Sequence, residues 1–243
     1  MNDNLKSRLQ KNGLVSERVV YLVDKYDLSS INEILDIGSW HLGQAIELYQ
    51  LFPDAKVSAF EPVPESYNLC LQNRNSYGID DSKISVFNVA LSDVIGEVKF
   101  YAVDPTTSSS PNIGASSLLK FIDGLNGSFF SQTWNQKEIL VDCLTLDKWC
   151  NDNQKDRIDL IWMDTQGTEL NVLKGAEKTL KNVKVILTEV GLKPYYEGHS
   201  MKKEIDEFLL ERGFIEIDES FELNGFDYEA NTIYVNENNF TQR

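Results

Sequence analysis

Residues Ile31 to Pro64 read INEILDIGSWHLGQAIELYQLFPDAKVSAFEPVP. An apolar run ends in Asp-Ile-Gly, a segment with helical spacing follows, and a second apolar run ends in Glu-Pro. The spacing predicts a helix over 43–52, with Ala45, Ile46, Tyr49 and Phe52 on one face. The flanking runs, EILDIG (33–38) and KVSAFEP (56–62), lack the polar alternation of a half-exposed strand and read as strands covered on both faces.

The same alternation extends outward. Residues 64–78 form a helix stopped by Gly78, and ISVFNVALSD (84–93) a third strand. VIGEVKFYAV reads as a strand turned back at Gly96. A Ser/Thr/Pro/Gly-rich stretch over 104–136 is too long for an ordinary connection and carries Leu118, Phe121, Phe129 and Trp134, so it is expected to be a lid or substrate-facing insertion. A strand in KEILVDCLTL and a short helix around LDKWCNDN follow. The alternation then resumes: strand 158–167, helix 168–182 with Leu170, Leu173, Ala176 and Leu180 inward, strand 183–191, and helix 200–213 with Met201, Ile205, Phe208 and Leu209 on one face. FIEIDESF and NTIYVNEN close the chain as an antiparallel pair. An opening helix over 3–25 presents Val15, Val19, Leu22 and Val23 on one side.

This pattern predicts an α/β fold: a doubly wound, Rossmann-like sheet, mostly parallel, with helices on both faces and an antiparallel hairpin at the C-terminal edge. The expected organisation is a helical extension over 1–30 and one domain over 31–243. Ligands of such sheets sit beyond the C-terminal strand ends, where Asp36, Glu61, Asp93 and Asp164 all fall.

Composition narrows the ligand. Hydrophobic residues make up 42% of the 243, enough for a sizeable core, and no apolar run reaches the ~20 residues of a membrane span. Lys and Arg are outnumbered 23 to 38 and the formal charge is −15, which disfavours a phosphate backbone as partner. Cys70, Cys143 and Cys150 have no metal-ligand spacing with His41 or His199 and read as core residues of a reducing, cytoplasmic compartment. A homodimer contact and packing on the domain are both open to the opening helix.

In LDIGSWHLG, Gly38 permits close approach of a ligand to backbone. The G-x-G-x-x-G of pyrophosphate binders is absent, and Asp36 would repel a phosphate. An acidic turn suits a cationic, donor-rich ligand, and S-adenosylmethionine, with its sulfonium and ammonium, is one. Glu61 lies about 20 residues beyond the glycine turn, where a carboxylate accepts from ribose hydroxyls, with Pro62 stiffening the turn after it. Asp93 is placed to accept from an adenine amino group, or merely to start a turn, and the Ala90–Leu91 backbone to cover the ring. Asp164 tops the fourth strand. Glu169 falls in a first helical turn and reads as a cap. Glu189 tops the fifth strand, followed by Tyr195, Tyr196 and His199 in a loop.

Taken in order, ILDIGS, FPDAKVSAFEPVPESY, NVALSDVIGEVKFY, GASSL, TLDKW, IDLIWMDTQGTELNVLKGA and TEVGLKPYYEG resemble the FkbM family of S-adenosylmethionine-dependent methyltransferases over about 33–215. The resemblance implies a methionine-facing turn of Asp36, Gly38 and Ser39; His41, by its place in that loop, is expected to pack there or to contact the cofactor. It implies Glu61 and Pro62 at the ribose, and Asn88, Ala90 and Asp93 at the adenine. Asp164 and Gln166 would flank donor and acceptor, and Ser116–Ser117 would approach the acceptor or cover the donor. Three positions depart from the family pattern: Leu42 stands where Gly is frequent, Gln166 where Glu is usual, and Trp162 where Lys is common. The family mostly methylates oxygen, and Gln at this motif resembles a branch near surface-polysaccharide genes.

The implied activity is O-methylation of a sugar hydroxyl. That reaction needs a base. The candidates are His199, first because of its intrinsic pKa and its loop, then Asp164 and Glu189, with His41 on the donor side. A metal held by Asp164 and Glu189 is an alternative that nothing in the spacing demands, so none is expected. Two other readings remain: a catalytically inactive binding module of the same fold, and a nicotinamide-dependent oxidoreductase, against which the missing glycine motif counts.

Overall fold

The computed structural model describes residues 18, 19, 22, 25–28, 31–109, 112–123, 134–217 and 228–240. Its main sheet contains β1 (Glu33–Ile37), β2 (Lys56–Phe60), β3 (Ile84–Phe87), β7 (Ile158–Met163), β8 (Val183–Gly191), β9 (Ile215–Glu216) and β10 (Glu229–Val235). The order is β3-β2-β1-β7-β8-β10-β9, parallel except that β10 runs antiparallel to both neighbours. The expected doubly wound sheet with an antiparallel C-terminal edge is what forms.

Every residue of β7 and β8 is buried, as their continuous apolar runs require. Two of the charges carried into these strands pair with each other: Lys184 Nζ lies 3.1 Å from Asp159 Oδ1, both side chains 2% exposed. Helices α1 (Gly43–Leu51) and α2 (Pro64–Ser76) connect the first three strands. Ala45 and Ile46 of the expected α1 stripe are buried, joined by Leu48 and Leu51. From the opening helix, Arg18, Val19 and Leu22 are helical, and Val19 and Leu22 enter the core against β1. Val15 and Val23 lie outside the described residues.

The third strand is shorter than expected. It ends at Phe87, and β4 (Ala90–Leu91) leaves for a second sheet of order β4-β6-β5. There β5 (Gly96–Val103) pairs antiparallel with β6 (Gln136–Leu144), not back onto β3. The diversion starts at Asn88, whose amide donates to the carbonyls of Glu61 and Pro62, both at 2.9 Å. Helix α3 (Leu146–Asp152) follows β6. The helix expected over 168–182 is also divided, into α4 (Glu169–Lys174) and a 3-10 turn over Thr179–Asn182. A Cβ at Gly175 would lie 2.1 Å from the Ser92 carbonyl oxygen, so this glycine lets the second sheet reach the helix end. Helix α5 is Lys202–Leu210, with Ile205 and Leu209 in the core.

Candidate active site

The order reverses between β1 and β7, which opens a crevice at their C-terminal ends. The two ends are tied closely: Asp164 N donates to Ile37 O at 2.9 Å, and Gly38 N and Ser39 N both donate to Phe60 O. The connecting loop is left-handed at Gly38 (φ 89°), Trp40 (φ 45°) and Leu42 (φ 73°). Leu42 keeps this conformation, which costs an L-residue about 1–2 kcal/mol, while its side chain is 0% exposed. Burial of a leucine returns a similar or larger amount, about 1.5–3 kcal/mol. The loop therefore holds its path without the glycine frequent in relatives.

A cavity follows from these ends. Gly38, Glu61, Pro62, Ala90 and Asp164 line it, as the sequence suggested. Phe60, Val89, Leu91 and Phe100 supply apolar walls, and Trp40, Ile113, Gly114 and Ser116 close one side. Trp40, Thr165 and Thr168 have no role in the sequence reading, although all three sit inside its motifs, LDIGSWHLG and IDLIWMDTQGTELNVLKGA. The left-handed backbone that aims Trp40 at the insertion has no local signature. A Cβ on Gly114 would come within 3.2 Å of the indole.

Glu61 is 6% exposed and oriented by two backbone donors, Trp40 N to Oε2 and Val63 N to Oε1, each 2.8 Å. Each oxygen keeps a further lone pair for a ligand. Burial raises this carboxyl to about 8. Asp36 lies behind the lining rather than on it: it is 0% exposed and neither carboxylate oxygen has a hydrogen-bond partner, and burial raises it to about 7. Ser39 is buried beside it and donates to Asp36 O at 3.0 Å. An unpartnered buried carboxylate fits a cationic ligand, directed acceptors on Glu61 fit vicinal hydroxyls, and apolar walls fit a flat ring.

Several expected site residues lie off the cavity lining. His41 Nδ1 accepts from Gly43 N at 3.1 Å and so caps the start of α1. Asn88 is exposed and positions the turn that carries Glu61. Asp93 is exposed in the β4–β5 turn, where it accepts from Ser92 Oγ at 3.1 Å. His199, ranked first as a base, is 7% exposed and packed against Gly167 and Gly191, where an added Cβ would meet its ring at 3.0 and 2.5 Å. Burial lowers it to about 4, which leaves a weak base. It packs the β7 and β8 loops together.

Beside the cavity lies a buried polar network. Gln166, left-handed at φ 55°, places its amide 2.7 Å from Asp164 Oδ1 and 3.0 Å from Glu189 Oε2, and also faces Tyr196 Oη at 2.9 Å. Burial raises Asp164 to about 6 and holds Glu189 well above the carboxylate range. Glu169 Oε1 accepts from Thr165 N, Thr165 Oγ1 and Gly167 N, a capping pattern in keeping with its expected role. The insertion reaches this network: Ser117 Oγ donates to Gln166 O at 2.7 Å, and Phe121 bridges to Tyr196.

A Rossmann-like sheet with a cavity at the ends of β1, β2 and β7, lined here by Glu61 and Asp164, is the architecture of class I methyltransferases. The chain belongs to the FkbM family: the Methyltransferase FkbM domain model matches residues 36–216. It is a methyltransferase, and its methyl donor is S-adenosylmethionine. One relative, 2-O-methyltransferase NoeI of Sinorhizobium fredii (strain NBRC 101917 / NGR234), is 31% identical over 193 residues, covering 76% of this chain and 72% of that protein. Among solved structures, methyltransferase FkbM from Methylobacillus flagellatus KT matches with a TM-score of 0.50 at 13% identity, covering 96% of this chain and 58% of that one. Magnesium protoporphyrin IX methyltransferase from Synechocystis PCC 6803 matches with a TM-score of 0.51 at 10% identity, covering 96% and 82%. These two share the fold. Among the described residues no helix is long and apolar enough to cross a membrane.

Proposed function

We propose that the protein transfers the methyl group to a sugar hydroxyl, as a cytoplasmic O-methyltransferase of surface-polysaccharide or glycoconjugate assembly. The observation that carries O-methylation is the 31% identical relative named a 2-O-methyltransferase. Trp40, 39% exposed at the cavity, supports a sugar acceptor, because an indole face packs against the C–H side of a pyranose. Three buried, unpaired cysteines support a reducing compartment.

Bound S-adenosylmethionine supplies a methyl group on a sulfonium whose departure as a neutral thioether needs no acid. Asp36, buried just behind the lining, would favour its cationic methionine end, Glu61 would accept from the ribose hydroxyls, and Ala90, Leu91 and Phe60 would enclose the adenine. Asp164, the carboxylate of the buried network that lines the cavity, stands beside the acceptor hydroxyl and takes its proton. The 104–136 insertion, docked through Ser117 and Tyr196, acts as the lid that excludes water.

Calorimetric titration tests the donor site: S-adenosylmethionine and S-adenosylhomocysteine are expected to bind and NADH is not. Turnover is then sought on sugar nucleotides and oligosaccharides, with the methylated position read by mass spectrometry. Donor binding without turnover on any glycan would end the sugar reading. His199→Gln is expected to keep turnover within about tenfold, below the ~10²–10⁴ that loss of a general base costs. A larger loss at unchanged thermal stability would return the base role to His199.

A further inference from the structure

With Asp164 and Glu189 both ionised, the hydrogen-bond inventory around Gln166 does not close with protein groups alone. An amide's oxygen and nitrogen are told apart only by their partners. With the nitrogen turned to the carboxylates, Tyr196 Oη faces two acceptors, Ala115 O at 2.7 Å and the amide oxygen at 2.9 Å. A hydroxyl has one proton to give. Tyr195 has the same conflict, since its hydroxyl meets Glu229 Oε2 at 2.6 Å as well as the amide oxygen at 3.4 Å.

Turning the amide over removes both conflicts. Its nitrogen then donates to Tyr196 and Tyr195, which give their own protons to Ala115 O and Glu229. The amide oxygen then lies about 2.7 and 3.0 Å from Asp164 Oδ1 and Glu189 Oε2. Three oxygens converge with nothing between them. The carboxylate of Glu169 is adjacent: one oxygen each from Asp164, Glu169 and Glu189 lie within 4.8 Å of one another. Glu169 is 1% exposed, and its Oε2 has no hydrogen-bond partner. Among the described residues no Lys or Arg pairs with these three carboxylates.

We infer that Asp164, Gln166, Glu169 and Glu189 form a divalent-cation site of all-oxygen character. The two separations of about 3 Å match the edge of an octahedron with bonds of about 2.1 Å, the size of Mg2+ or Mn2+, where Ca2+ needs a wider edge; the Glu169 oxygen, within 4.8 Å of the other carboxylates, would move inward to join them. Asp164 also lines the donor cavity, so the cation is placed to draw an acceptor hydroxyl and acidify it, a use that rests on the methyltransferase reading.

The test is direct binding. Protein stripped with a chelator is titrated with MnCl2, and free Mn2+ is read by electron paramagnetic resonance. One equivalent is expected, displaced by excess Mg2+ and poorly by Ca2+. Glu189→Gln and Gln166→Leu are expected to weaken it about a hundredfold, since ligand charge and count set such affinities. S-adenosylmethionine titration on the same samples reports whether each variant is folded. No stoichiometric Mn2+ binding by the wild type, or equal binding by both variants, overturns the site and indicates a proton shared between the carboxyls. Mn2+ binding without any binding of S-adenosylmethionine would leave the site standing and sink the donor assignment.

Discussion

Gly38→Ala is expected to lose more than about 4 kcal/mol of stability, a size reached only by a few mechanisms. The added Cβ would sit 1.8 Å from the Asp164 carbonyl oxygen and 2.8 Å from its carbon, on a backbone at φ 89°. Neither side can retreat. Gly38 N is bonded to Phe60 O, and Asp164 N to Ile37 O, so relief requires parting β1 from β7. Folded domains hold only about 5–15 kcal/mol in reserve. Gly78→Ala is the control, because its φ is 66° and nothing lies within 4 Å of the new Cβ. It should cost about 1–2 kcal/mol, the left-handed penalty alone. Urea unfolding of both variants measures the difference. Equal losses would mean that the β1–β7 contact is looser than the geometry requires.

Glu61→Ala is expected to weaken S-adenosylmethionine binding by about a hundredfold or more. Two hydrogen bonds to a charged acceptor are lost, each about 1.5–3 kcal/mol. The loss also frees Trp40 N and Val63 N, which the carboxylate now holds. A proton accompanies binding. Burial raises Glu61 to about 8, so at pH 7 the free protein carries it protonated. Ribose hydroxyls donate to the anion and so favour the ionised form. Binding therefore releases a proton at pH 7, and affinity rises toward pH 8 and levels off above it. Titration heats in buffers of different ionisation enthalpy count the proton. Unchanged donor affinity in Glu61→Ala would remove the ribose role.

What the sequence disclosed was what local spacing can carry. The stretch from Glu33 to Phe60 reads as strand, helix and strand because its apolar periods are set within a few residues, and β8 was legible end to end as one buried run. Gly38 and Glu61 were legible because a turn glycine and a following carboxylate keep a fixed separation in this fold. The departure of β4 was not, since it depends on Asn88 reaching two carbonyls far back in the chain. The end of α4 at Gly175 depends on Ser92, another element altogether. His199 is placed by a related effect. Its residue type suggests a base, but its neighbours Gly167 and Gly191, distant in sequence, decide that it is buried. Gln166 looked like a loss relative to a glutamate and becomes the hub of a network only once Tyr195 and Tyr196 fold over it.

The insertion leaves and rejoins the domain at one place, for Val103 at the end of β5 is paired directly with Gln136 at the start of β6. Residues 104–135 run between these paired ends, with 110–111 and 124–133 outside the described residues. Doubling such a loop costs only about 0.6 kcal/mol of closure entropy, and no strand of the main sheet has to shift. The main sheet and the segment between β5 and β6 can therefore diverge at different rates. Exchange of residues 104–135 between related chains is a graft with one covalent seam, provided the new loop keeps the docking contacts of Ser117 on Gln166 and Phe121 on Tyr196.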